Sequence, residues 1–192
     1  MNQLHRVELV LLDRDDTIVE IPHGVVYQYG NMPIRLTVGA AGFIRYWNSL
    51  NVPVAVVSNQ QGISREEFPD MTIQSVTQFN ERLNEVLQAE RAHIDRFYVC
   101  PHRVVDCCEC RKPAPGLIHQ ALSEFSAGAR CSWIIGDRES DVVAGIAAGI
   151  NAILFGVDTT VIKGVHAAVT FEECRELMLS GRGPGVTRGH PF

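Results

Sequence analysis

The chain has 192 residues, of which 46% are hydrophobic and 20% charged, a composition typical of one compact domain with a full core. Its formal net charge is −5, and its 17 lysines and arginines are spread out without a basic run, which argues against a nucleic-acid partner. No apolar stretch approaches the ~20 residues of a membrane span, and residues 1–6 lack the pattern of a signal peptide, so we expect a cytoplasmic protein without a membrane partner.

Short β-branched runs alternate with amphipathic patterns along the chain. The runs predict strands at residues 7–12, 52–57, 97–99, 133–135 and 152–155. The amphipathic patterns predict helices at residues 43–50, 73–89, 116–125, 141–148 and 171–179. Near-continuous apolar strands are typical of sheets with both faces covered, so the alternation favours an α/β fold with a doubly wound, mostly parallel sheet.

The domain organisation follows from what lies between these elements. The sequence contains no internal repeat and no domain linker, so we expect a single domain over residues 1–180. Residues 181–192 are rich in Gly and Pro, which predicts a flexible tail. No helical insertion of cap-domain size is present, and we therefore expect an open site.

Four polar fragments carry candidate chemistry, and three of them directly follow an apolar run. In chain order they supply a carboxylate pair, a hydroxyl with an amide, a cation, and a second acidic cluster, at residues 13–17, 58–60, 110–113 and 136–141. Those groups are the parts needed to transfer a phosphoryl group through an aspartyl-phosphate with a magnesium ion. Because ligands of such sheets bind beyond the carboxyl ends of the strands, we expect the fragments to converge.

A cysteine cluster indicates a second metal. Four of the six cysteines lie within residues 100–110, in the pattern Cys100-Pro101-His102, five residues, then Cys108-Glu109-Cys110. In a reducing compartment this pattern favours metal ligation over disulfides, although reduced core cysteines are the alternative. Three thiolates and one imidazole complete a tetrahedral zinc ion and leave no position for water, which predicts a structural site. The neighbouring Cys107 is the alternative to Cys108.

Taken together, these motifs resemble the haloacid dehalogenase-like (HAD-like) superfamily of aspartate-nucleophile phosphatases over about residues 7–156. Within it, the chain is most similar to the small zinc-bearing branch that contains heptose bisphosphate phosphatase and the histidinol phosphatase domain. The resemblance implies that Asp13 is the nucleophile and Asp15 the general acid and base. It also implies Cys108 as the ligand, since the family has Cys-x-Cys immediately before Arg-Lys-Pro.

The same resemblance, with the charge of a phosphate ester, implies the remaining roles. A magnesium ion would be held by Asp13, the backbone carbonyl of Asp15 and Asp137, with Asp141 as a further ligand or an orienting group. Ser58, the Asn59 backbone and Lys112 would donate to phosphate oxygens, and Thr17 would orient the loop. Arg111 would contact the substrate, with a second arginine drawn from Arg14, Arg65 or Arg138.

One residue departs from the family pattern. Asp16 stands where the family usually has glycine, which tolerates backbone conformations that cost other residues about 1 kcal/mol or more. A carboxylate beside the metal site would alter metal affinity. A catalytically weakened, zinc-stabilised binding module is therefore the alternative from another class.

The substrate cues conflict. His23-Gly24-Val25 and residues 59–65 are similar to the heptose bisphosphate enzymes, whereas the five-residue zinc spacer and Gly-Asp-Arg are similar to the histidinol phosphatase domain. We expect a small phosphorylated sugar, with a heptose bisphosphate favoured and histidinol phosphate as the alternative. The sequence is compatible with a monomer or a small homo-oligomer.

Overall fold

A six-stranded sheet forms the centre of the protein in the computed structural model, which describes residues 7–180. The strand order is β3-β2-β1-β4-β5-β6, and every neighbouring pair is parallel. The strands are β1 (Leu9–Leu12), β2 (Val54–Asn59), β3 (Arg96–Cys100), β4 (Ser132–Gly136), β5 (Asn151–Phe155) and β6 (Val165–Ala168).

Five helices cover the two faces of this sheet. They are α1 (Ala40–Ser49), α2 (Ile73–Ala89), α3 (Gly116–Glu124), α4 (Glu139–Ala147) and α5 (Phe171–Leu179). Strand β1 is buried on both sides, because Val10 and Leu12 pack with α1, α2 and α5, whereas Leu9 and Leu11 pack with α3 and α4. The predicted doubly wound α/β fold is therefore confirmed, and its sheet is wholly parallel rather than mostly parallel.

Strand β6 is the element that the sequence analysis missed. Its sequence is Val-His-Ala-Ala, and only Ala168 is buried. Histidine and alanine have weak strand propensity, and an edge strand needs no continuous apolar run, so neither usual signal is present. The other strands and the five helices lie where the sequence predicted them, with ends that differ by at most three residues.

Residues 21–36 form a long loop above the carboxyl end of β1, and Val19 is bridged to Asp15 and to Leu36 beside it. No helical cap is inserted in the described part of the chain. Within residues 7–180, no helix combines the length and the apolarity needed to cross a membrane. The predicted tail, 181–192, lies outside the described residues.

Candidate active site

The functional fragments meet at the carboxyl edge of the sheet. Asp13 directly follows β1, Ser58 and Asn59 end β2, and Asp137 directly follows β4. The backbone of Asp13 continues the ladder by donating to the carbonyl of Ile135 over 2.9 Å. Because these strands are neighbours and parallel, fragments far apart in sequence lie side by side, as the sequence predicted.

Three carboxylates form an acidic group at this edge. Oxygens of Asp13, Asp137 and Asp141 all lie within 4.8 Å of one another. Magnesium–oxygen bonds of about 2.1 Å place opposite ligands about 4.2 Å apart, so the spacing and the oxygen donors fit this ion. Gly136 makes the approach possible, since a Cβ atom there would lie 2.4 Å from the carboxyl carbon of Asp141.

Lys112 brings a cation into the acidic group. Its ammonium is buried and donates to Asp13 over 2.8 Å and to the Val57 carbonyl over 2.6 Å, and it lies 2.5 Å from Asp141. Asn59 anchors the Lys112 backbone from both sides, because its amide donates to the Lys112 carbonyl and accepts from the Lys112 N–H. The Asn59 side chain therefore positions the lysine.

Burial is the largest effect on the pKa values of the aspartates in this group. It raises the pKa of Asp13 to about 7, against the opposing effect of the Lys112 ammonium. Burial also raises the pKa of Asp137, with Asp141 adding to the rise. The pKa of Lys112 is raised, because attraction to Asp13 and Asp141 outweighs the opposing effect of burial. A divalent cation among the carboxylates would favour their ionised forms.

Asp15 is held by Arg14, which the sequence analysis considered only as a substrate contact, and by Gln60, to which it gave no individual role. The guanidinium of Arg14 donates to both carboxylate oxygens, over 2.9 and 3.0 Å. The side-chain amide of Gln60 donates to Asp15 over 2.7 Å and to the Ser58 hydroxyl over 2.8 Å. Both residues are fully buried, and their adjacency to predicted site residues was the available signal.

Thr17 is fully buried and faces Asp137. Its hydroxyl accepts from the Asp137 backbone N–H and donates to the Asp137 carboxylate, each over 3.2 Å. The sequence analysis expected Thr17 to orient the loop that binds the substrate, and in the structure the Thr17 hydroxyl contacts Asp137.

Asp16, which stands where the family usually has glycine, adopts a left-handed conformation with φ of 56°. Its carboxylate accepts from the backbone N–H of Ile21 over 3.1 Å and does not belong to the acidic group of Asp13, Asp137 and Asp141. Aspartate tolerates this region better than most residues, and the hydrogen bond offsets part of the strain.

A cavity of about 620 Å³ opens over the acidic group. Arg65, Arg111 and Arg138 line it, together with the apolar side chains of Val26 and Val104. Arg14 does not line it, since its guanidinium is fully buried behind Asp15. Of the three arginines considered as a second substrate contact, two therefore face the cavity. The predicted site residues that line it are Asp13, Asp15, Ser58, Asn59, Arg111, Lys112 and Asp141.

The cysteine cluster lies beside this cavity. The sulfurs of Cys100, Cys108 and Cys110 are separated by 3.2–3.7 Å, and Nδ1 of His102 lies 3.1 Å from the Cys110 sulfur. A zinc tetrahedron with Zn–S bonds of about 2.3 Å has S···S edges of about 3.8 Å, so the donors fit this ion. Zinc would tie the end of β3 to the loop that carries Lys112.

Cys107 points away from this cluster. Its backbone is left-handed, with φ of 46°, its side chain is exposed, and its thiol lies 3.9 Å from the Val104 carbonyl. The structure therefore brings Cys108, and not Cys107, together with Cys100, His102 and Cys110.

Comparisons with known proteins agree with this geometry. A HAD-hydrolase-like family model matches residues 109–168. The D-glycero-beta-D-manno-heptose-1,7-bisphosphate 7-phosphatase of Neisseria meningitidis is 31% identical over 139 residues, 72% of this chain and 71% of that protein. The histidine biosynthesis bifunctional protein HisB of Legionella pneumophila is 30% identical over 145 residues, 75% of this chain but 40% of that protein.

Among solved structures, the D,D-heptose 1.7-bisphosphate phosphatase from B. bronchiseptica, complexed with magnesium and phosphate, superimposes with a TM-score of 0.79 at 20% identity. The alignment covers 91% of this chain and 99% of that one, which shows a common fold. Fold, site geometry and relatives together place this chain in the HAD-like hydrolase family. It is a HAD-type phosphatase, a hydrolase of phosphoric monoesters.

Proposed function

We propose that the protein is a magnesium-dependent phosphatase that hydrolyses a sugar bisphosphate, specifically a heptose bisphosphate, through an aspartyl-phosphate on Asp13. The observation that carries the proposal is that Asp13, Lys112 and three arginines border one cavity. One cation serves the reacting phosphoryl group, and the arginines provide charge for a second anionic group. The heptose bisphosphate phosphatases among the relatives support this substrate class.

In the proposed reaction, a carboxylate oxygen of Asp13 attacks phosphorus and the bond to the leaving oxygen breaks, while Asp15 gives that oxygen a proton. Water then attacks the phosphorus, Asp15 takes a proton from this water, and the bond between phosphorus and Asp13 breaks to release phosphate and the free carboxylate. Lys112 and Ser58 donate to the phosphate oxygens as charge redistributes. Magnesium, held by Asp13, Asp137, Asp141 and the Asp15 carbonyl, would neutralise charge between the two anions.

A second substrate, histidinol phosphate, has its own support. Val26, Tyr27 and Val104 line the outer part of the cavity, where an imidazole ring would find apolar contacts. The Legionella relative belongs to a histidine biosynthesis protein. The proposal also includes a zinc ion at the cysteine cluster, a cytoplasmic location and a monomer or small homo-oligomer. The net charge of −5 supports a small-molecule partner rather than nucleic acid.

Phosphate release tests the proposal. The wild-type protein with magnesium should hydrolyse a heptose bisphosphate with higher kcat/KM than histidinol phosphate or p-nitrophenyl phosphate, and EDTA should stop the reaction. Asp13→Asn should be inactive with an unchanged circular dichroism spectrum, since the variant keeps the shape but not the charge of the nucleophile. An Asp13→Asn protein that retains turnover would overturn the mechanism, and an inactive wild type would favour the binding-module alternative.

Arg111→Ala tests the second anionic contact. A charge-assisted contact between guanidinium and phosphate contributes about 1.5–3 kcal/mol, so we expect kcat/KM to fall by roughly ten-fold to over a hundred-fold for the bisphosphate. The loss should be much smaller for p-nitrophenyl phosphate. Equal losses on both substrates would assign Arg111 to the reacting phosphoryl group or to the fold. A wild-type preference for histidinol phosphate would select that substrate instead.

A further inference from the structure

Arg14 is one of the largest fully buried side chains of the described residues. Besides its two hydrogen bonds to Asp15, it donates to the side-chain carbonyl of Asn80 over 3.0 Å and to the backbone carbonyl of Gln28 over 2.8 Å. Its guanidinium also lies over the Phe79 ring, 4.8 Å from the centroid. One side chain thus links the loop after β1, the 21–36 loop and helix α2.

A buried guanidinium is costly unless its donors are matched, and each of these contacts serves that end. The two carboxylate contacts matter most for geometry, because a planar fork meeting a planar carboxylate fixes the orientation of both groups. A solvated turn aspartate would need no such partner. The Asp15 side chain, 14% exposed, is therefore oriented by the protein and not by solvent.

The donors are distributed unevenly over the two oxygens of Asp15. Among the described residues, Oδ2 accepts hydrogen bonds from Arg14 and Gln60, whereas Oδ1 accepts one from Arg14 alone. Each carboxylate oxygen has about two lone-pair sites. Oδ1 therefore keeps a lone-pair site for a proton, and Asp15 lines the cavity where a leaving oxygen would lie.

We propose that Arg14 is a positioning residue for Asp15. Anchored by Asn80 and the Gln28 carbonyl, it orients the carboxylate so that Oδ1 gives a proton to the leaving oxygen. The inference rests on the proposed role of Asp15 as general acid. Arg14 does not touch the substrate. Its effect should therefore appear wherever proton donation to the leaving group limits the rate, and not where the leaving group departs unaided.

Phenyl phosphate and p-nitrophenyl phosphate provide the readout. The two substrates are similar in size, but phenolate is the poorer leaving group and depends more on protonation as it departs. The value of kcat/KM reports the steps up to and including phosphorylation of the enzyme. Arg14→Lys keeps the positive charge but loses the bidentate hydrogen-bond geometry of the guanidinium. We expect it to lower kcat/KM for phenyl phosphate at least about fivefold more than for p-nitrophenyl phosphate, in the direction of Asp15→Asn.

A pair of helix variants covers the case in which Arg14→Lys fails to fold. Asn80→Ala removes an anchor of Arg14 and leaves the pair with Asp15 in place. Asn84→Ala, one turn further along α2, instead removes two hydrogen bonds to the backbone of Ile94 before β3. Asn80→Ala should shift the ratio of kcat/KM for phenyl phosphate to kcat/KM for p-nitrophenyl phosphate in the same direction as Arg14→Lys. Asn84→Ala should leave this ratio unchanged.

The outcomes separate the two proposals. If Asp15→Asn changes the ratio but Arg14→Lys and Asn80→Ala lower both rates equally, Arg14 is structural and the inference fails, while the proposed function stands. If Asp15→Asn itself loses the same factor on both substrates, the general-acid role fails, and the role of Arg14 fails with it. An equal shift of this ratio in Asn84→Ala would also overturn the inference, because any destabilisation of α2 would then be enough to change the ratio.

Discussion

The Lys112 ammonium donates to the Asp13 carboxylate over 2.8 Å, although 99 residues separate the two along the chain. Both are buried, so the charge of each depends on the other. The contact joins the loop after the cysteine cluster to the central strand of the sheet. Lys112 therefore has a stabilising role besides its proposed role toward phosphate.

Lys112→Met should lower the free energy of unfolding by about 3 kcal/mol, because removal of one member of a buried pair leaves the other uncompensated. Magnesium should restore part of the loss, since a cation among the carboxylates replaces the missing charge. Urea denaturation with and without magnesium measures both effects. The chain's other lysine, Lys163, is exposed, and Lys163→Met is the matched control. Wild-type stability in Lys112→Met would contradict this account.

Zinc removal should destabilise the protein, because the unfolded chain offers no preformed set of ligands and binding therefore adds to folding. Cys110→Ser should lose zinc by elemental analysis and lower Tm by at least about 5 °C. Cys107→Ser, which changes the exposed neighbour, should retain one zinc per chain and the wild-type Tm. Loss of zinc in Cys107→Ser, with zinc retained in Cys108→Ser, would exchange the two assignments.

Asp16→Gly should change stability by no more than about 1 kcal/mol. Glycine relieves the left-handed backbone of Asp16, but the hydrogen bond to Ile21 is lost, and the two effects are of similar size. Because the Asp16 carboxylate lies outside the acidic group, turnover should stay within about threefold of wild type. Urea denaturation and phosphate release measure the two quantities. A gain in activity of tenfold or more would mean that Asp16 weakens the enzyme.

Cys107 and Cys174, which both lie outside the cluster of Cys100, His102, Cys108 and Cys110, should differ sharply in reactivity. Burial raises the pKa of the Cys174 thiol to about 12, so at pH 8 it stays protonated and inaccessible, whereas Cys107 is exposed. With 5,5′-dithiobis(2-nitrobenzoate), zinc-loaded native protein should react first at Cys107, and Cys174 should react only in urea. Cys107→Ser should remove the fastest phase. Rapid labelling of Cys174 in the native state, identified by mass spectrometry, would contradict its burial.

The sequence predicted those parts of the site that depend on local pattern. Asp13 and Asp137 follow apolar strands, and a parallel sheet brings such positions together whatever lies between them. The role of Arg14 was not predictable in this way. It stands between two site aspartates, which suggests a substrate contact, yet its burial depends on Asn80, 66 residues away on α2. The same holds for Thr17, whose partner Asp137 is 120 residues distant.

The central position of β1 links catalysis to global stability. Proteins open locally at different free-energy costs, and strands enclosed on both sides open last. Amide hydrogens of β1 should therefore exchange only through complete unfolding, and Asp13, attached to its end, should keep its place until then. The 21–36 loop lies at the periphery of the site and outside the sheet, so it should open at a far lower free-energy cost. Substrate entry and product release can thus proceed by motions that leave Asp13 undisturbed.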